Sequence, residues 1–518
     1  MDALFVPIAN IAGASVDQIK LISCLLVAYP LGSVFIRIPA SQPGVKHLFS
    51  IAVSFFLLVP VLHLYSGFLQ LLGSVLATYV LAATCKGPNM PWIVFAVVMG
   101  HLTINHAIRA IYGLSYETTE ITGPQMVLTM KLTTFAWNVY DGRRPAEDLD
   151  KWQLAKRITK MPSLLEFLGY SFYFPGMLVG PYVVYSDYQA LIDETMFKVE
   201  GVEGKTKQGM AIPIGRKRVA YRRLIMGLLY LAVYVMFITK YNYSLSLAPW
   251  FSQLSFGKRV MYYQVGGVVE RSKYYAVWTL TEGASILTGL GFNGFKASGE
   301  PRWNGAANVK PMEIEFPSNF KVLFDSWNMN TNIWLRECVY KRVTPKGRKP
   351  GNRSQMLTFA TSAFWHGIAG GYYLTFLMGG FVTSAARLAR KNFRPLVLPP
   401  SGSPMTLQKR VYDLGASLVS ILLLNYIGPP FMLLGIKDSL SCWNQLGWYG
   451  HVVVFGALAF FYGGGQKALR SLHPDVPKLS REDSRASSLT PRSSGTSTPV
   501  ESFALPPTLD QFVKPPVK

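Results

Sequence analysis

Residues 48–84 read LFSIAVSFFLLVPVLHLYSGFLQLLGSVLATYVLAAT. Two apolar runs, 48–65 and 67–84, follow one another, and neither carries a charged residue. Each is close to the roughly 20 residues an α-helix needs to cross the hydrocarbon of a bilayer. Comparable runs lie at 20–38, 92–112, 224–239, 357–386, 419–436 and 451–464, and weaker, polar-interrupted ones at 126–140, 164–186 and 275–292. Backbone polar groups in hydrocarbon must be satisfied within the segment, so runs of this kind are read as helices. The expectation is an all-α, polytopic membrane protein with roughly eight to eleven membrane segments.

Composition agrees. Of 518 residues, 50% are hydrophobic and 15% charged, where a soluble chain carries about 25% charge. The first apolar run has neither a basic leader nor a small-residue cleavage site, so it reads as a span rather than a removable signal. The net charge of +23 raises the question of nucleic acid. The basic residues, however, sit in short stretches between apolar runs, at 142–160, 215–223, 340–353 and 387–394. That is the distribution of cytoplasmic loops facing anionic lipid, and no nucleic-acid partner is expected. The four cysteines, Cys24, Cys85, Cys338 and Cys442, have neither disulfide nor metal-site spacing. No metal is expected.

The chain divides into a membrane-embedded body, residues 1–473, and a Ser/Thr/Pro-rich tail, residues 474–518, expected to be disordered and cytosolic. Thr490 and Thr498, each followed by proline, suit phosphorylation, although a plain solubilising tail reads equally well. Residues 199–215 read as a loop. Residues 293–326 are neither apolar enough to span nor charged enough to be a linker, which marks a functional or partly re-entrant segment.

Polar residues in apolar surroundings narrow the function. In SAFWHGIAGGYYLTF (362–376) one histidine, His366, stands in a glycine-laced apolar stretch. A titratable ring there is costly to bury without a partner, a watery cavity or a chemical role. Gly367, Gly370 and Gly371 let other backbones or a ligand approach. Phe364, Trp365, Tyr372 and Tyr373 supply aromatic walls, and Ser362 lies one helical turn earlier. Upstream, DSWNMNTNIWLRECVYKR (325–342) places Asn328, Thr331, Asn332 and Leu335 on one helical face between Trp327 and Trp334. This face serves either an interfacial helix whose amides cap loops or a polar wall facing His366. His101 and His106 share a run with Asn105, which suits hydrogen bonds between packed helices.

These stretches, FWHGIAGGYYLTF (364–376) and SWNMNTNIWLRECVY (326–340), with MVLTMKLTTFAWNVYDGR (126–143), MPSLLEFLGYSFYFPGMLVGPYVVYSDY (161–188) and RWNGAANV (302–309), resemble the membrane-bound O-acyltransferase (MBOAT) family. The likeness covers roughly residues 15–470 and is to the lysophospholipid acyltransferase branch, in particular its fungal broad-specificity members. It implies tilted, partly re-entrant helices around a central chamber, open to the cytosol for acyl-CoA and to the bilayer for lipid. It further implies a multi-pass protein of the endoplasmic reticulum membrane that takes acyl-CoA as co-substrate and needs no cofactor. The family's catalytic histidine falls on His366 and its second catalytic position on Asn328.

On this reading His366, with an ordinary pKa of about 6.5, is the general base that takes the proton of a lysophospholipid hydroxyl. Asn328 either orients the imidazole or donates to the oxyanion; both remain open. Trp327, Asn332, Trp334, Arg336, Ser362 and Tyr373 are the candidate substrate-binding residues. Arg336, Lys341 and Arg342 suit either coenzyme A phosphates or topology. An acyl-enzyme on Ser362, or more remotely Cys338, is the covalent alternative to the direct transfer that the resemblance implies. Other acceptors (diacylglycerol, a sterol, a protein) stay open within the enzyme class. A transporter is the reading outside it, with the polar run of His101, Asn105, His106 and Arg109 as its best feature. The sequence sets no oligomeric state.

Overall fold

The computed structural model describes residues 2–114, 118–198, 212–344, 351–399 and 403–472. The tail at 474–518 with Thr490 and Thr498, and most of the 199–215 loop, lie outside the described residues. Among these residues the chain is helices and turns, with one isolated bridge between Phe295 and Pro301.

The first four long helices are α1 (Val16–Phe35), α2 (Pro43–Phe56), α3 (Tyr65–Thr84) and α4 (Met90–Ile111). Ser15 starts α1 with a capping box, its hydroxyl accepting from the Gln18 N–H while the Gln18 side chain accepts from the Ser15 N–H. Proline opens α2, where its missing N–H costs nothing. Then come α5 (Thr122–Gly142), α6 (Arg216–Phe237), α7 (Phe256–Thr288), α8 (Met329–Leu335), α9 (Asn352–His366), α10 (Gly370–Val397), α11 (Leu407–Ile427) and α12 (Tyr449–Phe460).

Among the described residues seven stretches are long and apolar enough to cross a membrane: Val16–Phe35, Pro43–Val61, Tyr65–Thr84, Met90–Ile111, Arg216–Phe237, Leu407–Leu433 and Tyr449–Ser471. The weaker runs resolve differently. Run 126–140 lies in α5, buried along nearly its whole length. Its one lysine, Lys131, donates to the carbonyls of Tyr170 and Ser171 at the end of helix Leu164–Ser171, so the buried amine satisfies carbonyls left open at a helix C-terminus. Run 275–292 is the C-terminal half of α7, which packs against α6 and α1. Run 164–186 is no single helix: a helical segment, a 3-10 turn at Phe174–Gly176 and extended chain follow one another.

The run at 357–386 is also divided. Helix α9 stops at His366, and Gly367 takes φ +139° and ψ −168°, a conformation open essentially to glycine. Helix α10 then restarts at Gly370. A Cβ on Gly371 would lie 2.0 Å from the Pro430 carbonyl oxygen and 2.9 Å from the Leu434 Cα. The Gly371 N–H instead donates to the Leu434 carbonyl at 2.7 Å. The glycines thus admit a neighbouring backbone, and this brings Phe431 against His366.

Candidate active site

His366 is the last residue of α9 and is half-buried. Four rings hold it: Phe376 stacked at 5.2 Å between centroids, Trp365 at 4.6 Å, Phe431 at 4.9 Å and Tyr372 at 5.6 Å. Among the described residues neither ring nitrogen has a hydrogen-bond partner. Trp365 is fixed in turn by its indole N–H on the Met126 carbonyl, at 3.0 Å. His106 Nε2 lies 3.3 Å from the Trp365 carbonyl oxygen.

Asn328 differs from the helical-face reading, because it precedes α8 rather than lying within it. It is the N-cap, with φ +45° and ψ +55°, a left-handed conformation that asparagine tolerates better than other branched or bulky residues. Thr331, Asn332 and Leu335 nonetheless face the same cavity as Asn328.

The Asn328 amide is oriented by a chain of contacts that begins at a backbone donor. The Asn330 N–H donates to Asn308 Oδ1 at 2.9 Å, which leaves Asn308 Nδ2 to donate to Asn328 Oδ1 at 3.1 Å. The Thr331 hydroxyl donates to the same oxygen at 2.8 Å, and the Met329 N–H to the Asn308 carbonyl at 2.9 Å. A backbone N–H can only donate, so the assignment propagates outward from it. Asn328 Nδ2 is thereby left as a donor with no protein acceptor among the described residues.

Two cavities meet at this pair. One, of about 70 Å³, is walled by Trp327, Asn328, Thr331, Asn332, Ser362 and His366 among others. The second, of about 150 Å³, shares Trp327, Asn328, His366 and Phe376 with it and extends to Arg271, Tyr274 and Trp278 on α7. A third, apolar cavity of about 770 Å³ runs between α10, α11 and α12 and shares Phe324 with both.

The other sequence candidates distribute unevenly. Trp327 belongs to the wall, packed edge-on against Trp278 at 5.1 Å. Asn332 lines the smaller cavity while its amide donates to the carbonyls of Phe324 and Trp327. Ser362 lines it too, with no hydrogen bond to His366. Trp334, Arg336 and Tyr373 line neither cavity that holds His366. Trp334 is fully buried with its N–H on Thr133, and Tyr373 is exposed.

Arg336, Lys341 and Arg342 are engaged within the protein: Arg336 with Glu337, Lys341 with Asp150 and Glu337, and Arg342 bidentate with Asp141 and over the Trp137 ring. Burial pushes the Cys338 thiol up to about 12, so it holds its proton and is a poor nucleophile. The polar residues of α4 serve packing: His101 bonds Ser74 and Gln70, Asn105 bonds Gln125, and Arg109 pairs with Glu120.

A histidine and an oriented amide donor thus converge on shared cavities within a helical body. Comparison with known proteins carries this further. The sequence profile of the membrane-bound O-acyltransferase family matches residues 108–428. The chain is 41% identical over 463 residues to a lysophospholipid acyltransferase of Schizosaccharomyces pombe, covering 89% of each protein. It is 36% identical over 481 residues to a lysophospholipid acyltransferase of Saccharomyces cerevisiae, covering 90% of this chain and 77% of that one. A human membrane-bound glycerophospholipid O-acyltransferase 1 is 32% identical over 456 residues, 86% of this chain and 89% of the relative. The chain belongs to the membrane-bound O-acyltransferase family and is a multi-pass membrane acyltransferase.

Proposed function

We propose that the protein transfers a fatty acyl group from acyl-CoA to the free hydroxyl of a lysophospholipid, in the endoplasmic reticulum membrane, with His366 as general base and without metal or cofactor. The observation that carries this is the convergence of His366 and the Asn328 amide donor on shared cavities. The names of the relatives at 36–41% identity supply the acceptor class.

The acceptor hydroxyl approaches the thioester carbonyl beside His366. As the C–O bond forms, the imidazole takes the hydroxyl proton, a contribution of about 10²- to 10⁴-fold for a positioned base. Negative charge develops on the carbonyl oxygen, where Asn328 Nδ2 donates. A preorganised donor of this kind contributes about 10²- to 10³-fold. Collapse breaks the C–S bond, and the imidazolium returns the proton to sulfur, releasing coenzyme A as the thiol and leaving the base neutral. The amide oxygen of Asn328 already accepts from Asn308 and Thr331, which favours the oxyanion role over one in orienting the imidazole. Confinement of both substrates in one chamber supplies the rest.

The test is product analysis. Membranes containing the protein, given labelled oleoyl-CoA and a panel of lysophospholipids, should form diacyl phospholipid and free coenzyme A in equal amounts. Labelled product only with a sterol or diacylglycerol would overturn the acceptor. Cell fractionation tests the location.

A further inference from the structure

We propose that Arg271 on α7 binds the phosphate of the acceptor lipid and so selects a phosphate-bearing acceptor over a neutral one. This rests on the lysophospholipid reading above and adds the residue that enforces it.

Arg271 is 6% exposed, and it lines the same cavity as His366 and Asn328. A buried guanidinium needs partners. Its Nε donates to Glu315 Oε1 at 2.9 Å, its Nη2 to Glu315 Oε2 at 2.7 Å and its Nη1 to Asn425 Oδ1 at 2.6 Å. Tyr275 also donates to Glu315, and Asn425 Nδ2 donates to Gln264 Oε1 at 2.7 Å. The group is therefore clamped from two sides. A guanidinium has five N–H donors; three are used, and two have no acceptor among the described residues. The other charge on this wall, Glu270, is paired with Lys273 at 3.1 Å, so it leaves those donors to a ligand.

The chemistry of the acceptor fits. In a 1-acyl lysophospholipid the phosphate hangs from the carbon next to the one bearing the reactive hydroxyl. A cavity of about 150 Å³ that holds base, amide donor and guanidinium is small enough for one headgroup stem to meet all three. Planar guanidinium donors match phosphate oxygens better than an ammonium does. Diacylglycerols and sterols present no phosphate, so they leave those donors unpaired, and a site with unpaired buried polar groups rejects such analogues.

The experiment compares the full-length enzyme with Arg271→Lys and Arg271→Gln in vesicles. Rates are measured with 1-acyl lysophosphatidylcholine and with 1-monoacylglycerol, which has the same hydroxyl without the phosphate. The ratio of kcat/KM for the two acceptors should fall roughly 10- to 100-fold, carried by the lysolipid KM, while the KM for oleoyl-CoA stays put. An unchanged ratio, both acceptors losing equally, would overturn the proposal and leave Arg271 as a structural partner of Glu315. Should the variants fail to fold, the wild-type enzyme answers. A 2-deoxy lysophosphatidylcholine should compete with the acceptor where a 2-deoxy monoacylglycerol does not, and equal competition overturns the proposal. Wild-type enzyme that acylates no lysophospholipid at all refutes the acceptor class instead, a separate result.

Discussion

Asn308 touches no part of the histidine, yet replacing it with aspartate should nearly silence the enzyme. In Asn308→Asp the carboxylate still accepts from the Asn330 N–H, at 2.9 Å in the native structure. Its other oxygen, where an amide donor stood 3.1 Å from Asn328 Oδ1, becomes an acceptor. Two acceptors cannot face each other at that distance, so the Asn328 amide turns over to donate to the new carboxylate. The turn is cheap, because the Thr331 hydroxyl, now donating at 2.8 Å, can rotate to accept. Every hydrogen bond is then preserved, but an oxygen replaces the N–H aimed at the cavity. The expected loss is that of an oxyanion donor, about 10²- to 10³-fold in kcat, or roughly 2.7–4 kcal/mol. Asn308→Ala leaves the Asn328 amide oxygen with the Thr331 donor and should cost far less in rate. The assay is single-turnover acyl transfer in vesicles, with folding checked by thermal unfolding in detergent. The double variant Asn308→Asp with Asn328→Ala should be little worse than either alone. A folded Asn308→Asp enzyme with native kcat would refute the orientation argument.

His366→Ala should abolish turnover while the protein stays inserted and binds acyl-CoA, since removal of a base leaves the four surrounding rings in place; native-like turnover by stable protein would refute the assignment. Ser362→Ala should change kcat by no more than a few-fold, as no hydrogen bond links Ser362 to His366; a trapped acyl-serine in the native enzyme would move the mechanism to a covalent route. Gly371→Ala should destabilise by more than the about 1–3 kcal/mol of ordinary overpacking, because its Cβ meets backbone 2.0 Å away; an unchanged thermal midpoint in detergent would contradict the packing. Truncation after Leu472 should leave activity within a few-fold, and complete loss in stably inserted protein would contradict the reading of the tail as a solubilising segment.

Hydropathy revealed the spans because lipid leaves the backbone no other partner. It blurred wherever charge is satisfied inside. Glu270, Arg271 and Lys273 hid the N-terminal half of α7, although such ionisable residues within a helical apolar stretch are themselves a functional signal, and that signal would have found Arg271. The histidine stood out by chemistry alone. A helical spacing placed Asn328 on a polar face, and the family resemblance placed the second catalytic position on it; it lies outside the helix, since an N-cap sits one step before the face it extends. Asn308, inside the quoted RWNGAANV, carried no mark by type or period; its role follows from a contact across 20 residues with Asn328. Gly367, Gly370 and Gly371 were read as room for a close approach, although they also carried the signal of the break at Gly367.

The imidazole of His366 is wedged among Trp365, Tyr372, Phe376 and Phe431 and tethered to none of them. Where a carboxylate or carbonyl grips one ring nitrogen, it decides in advance which nitrogen carries the hydrogen. With no such grip among the described residues, the expectation is that the two neutral tautomers of the resting ring lie close in energy, and that the arriving hydroxyl chooses between them by donating to whichever nitrogen is bare. The lipid would write the protonation state that its own acylation requires, and nitrogen NMR of the empty enzyme should find both tautomers where the loaded enzyme shows one.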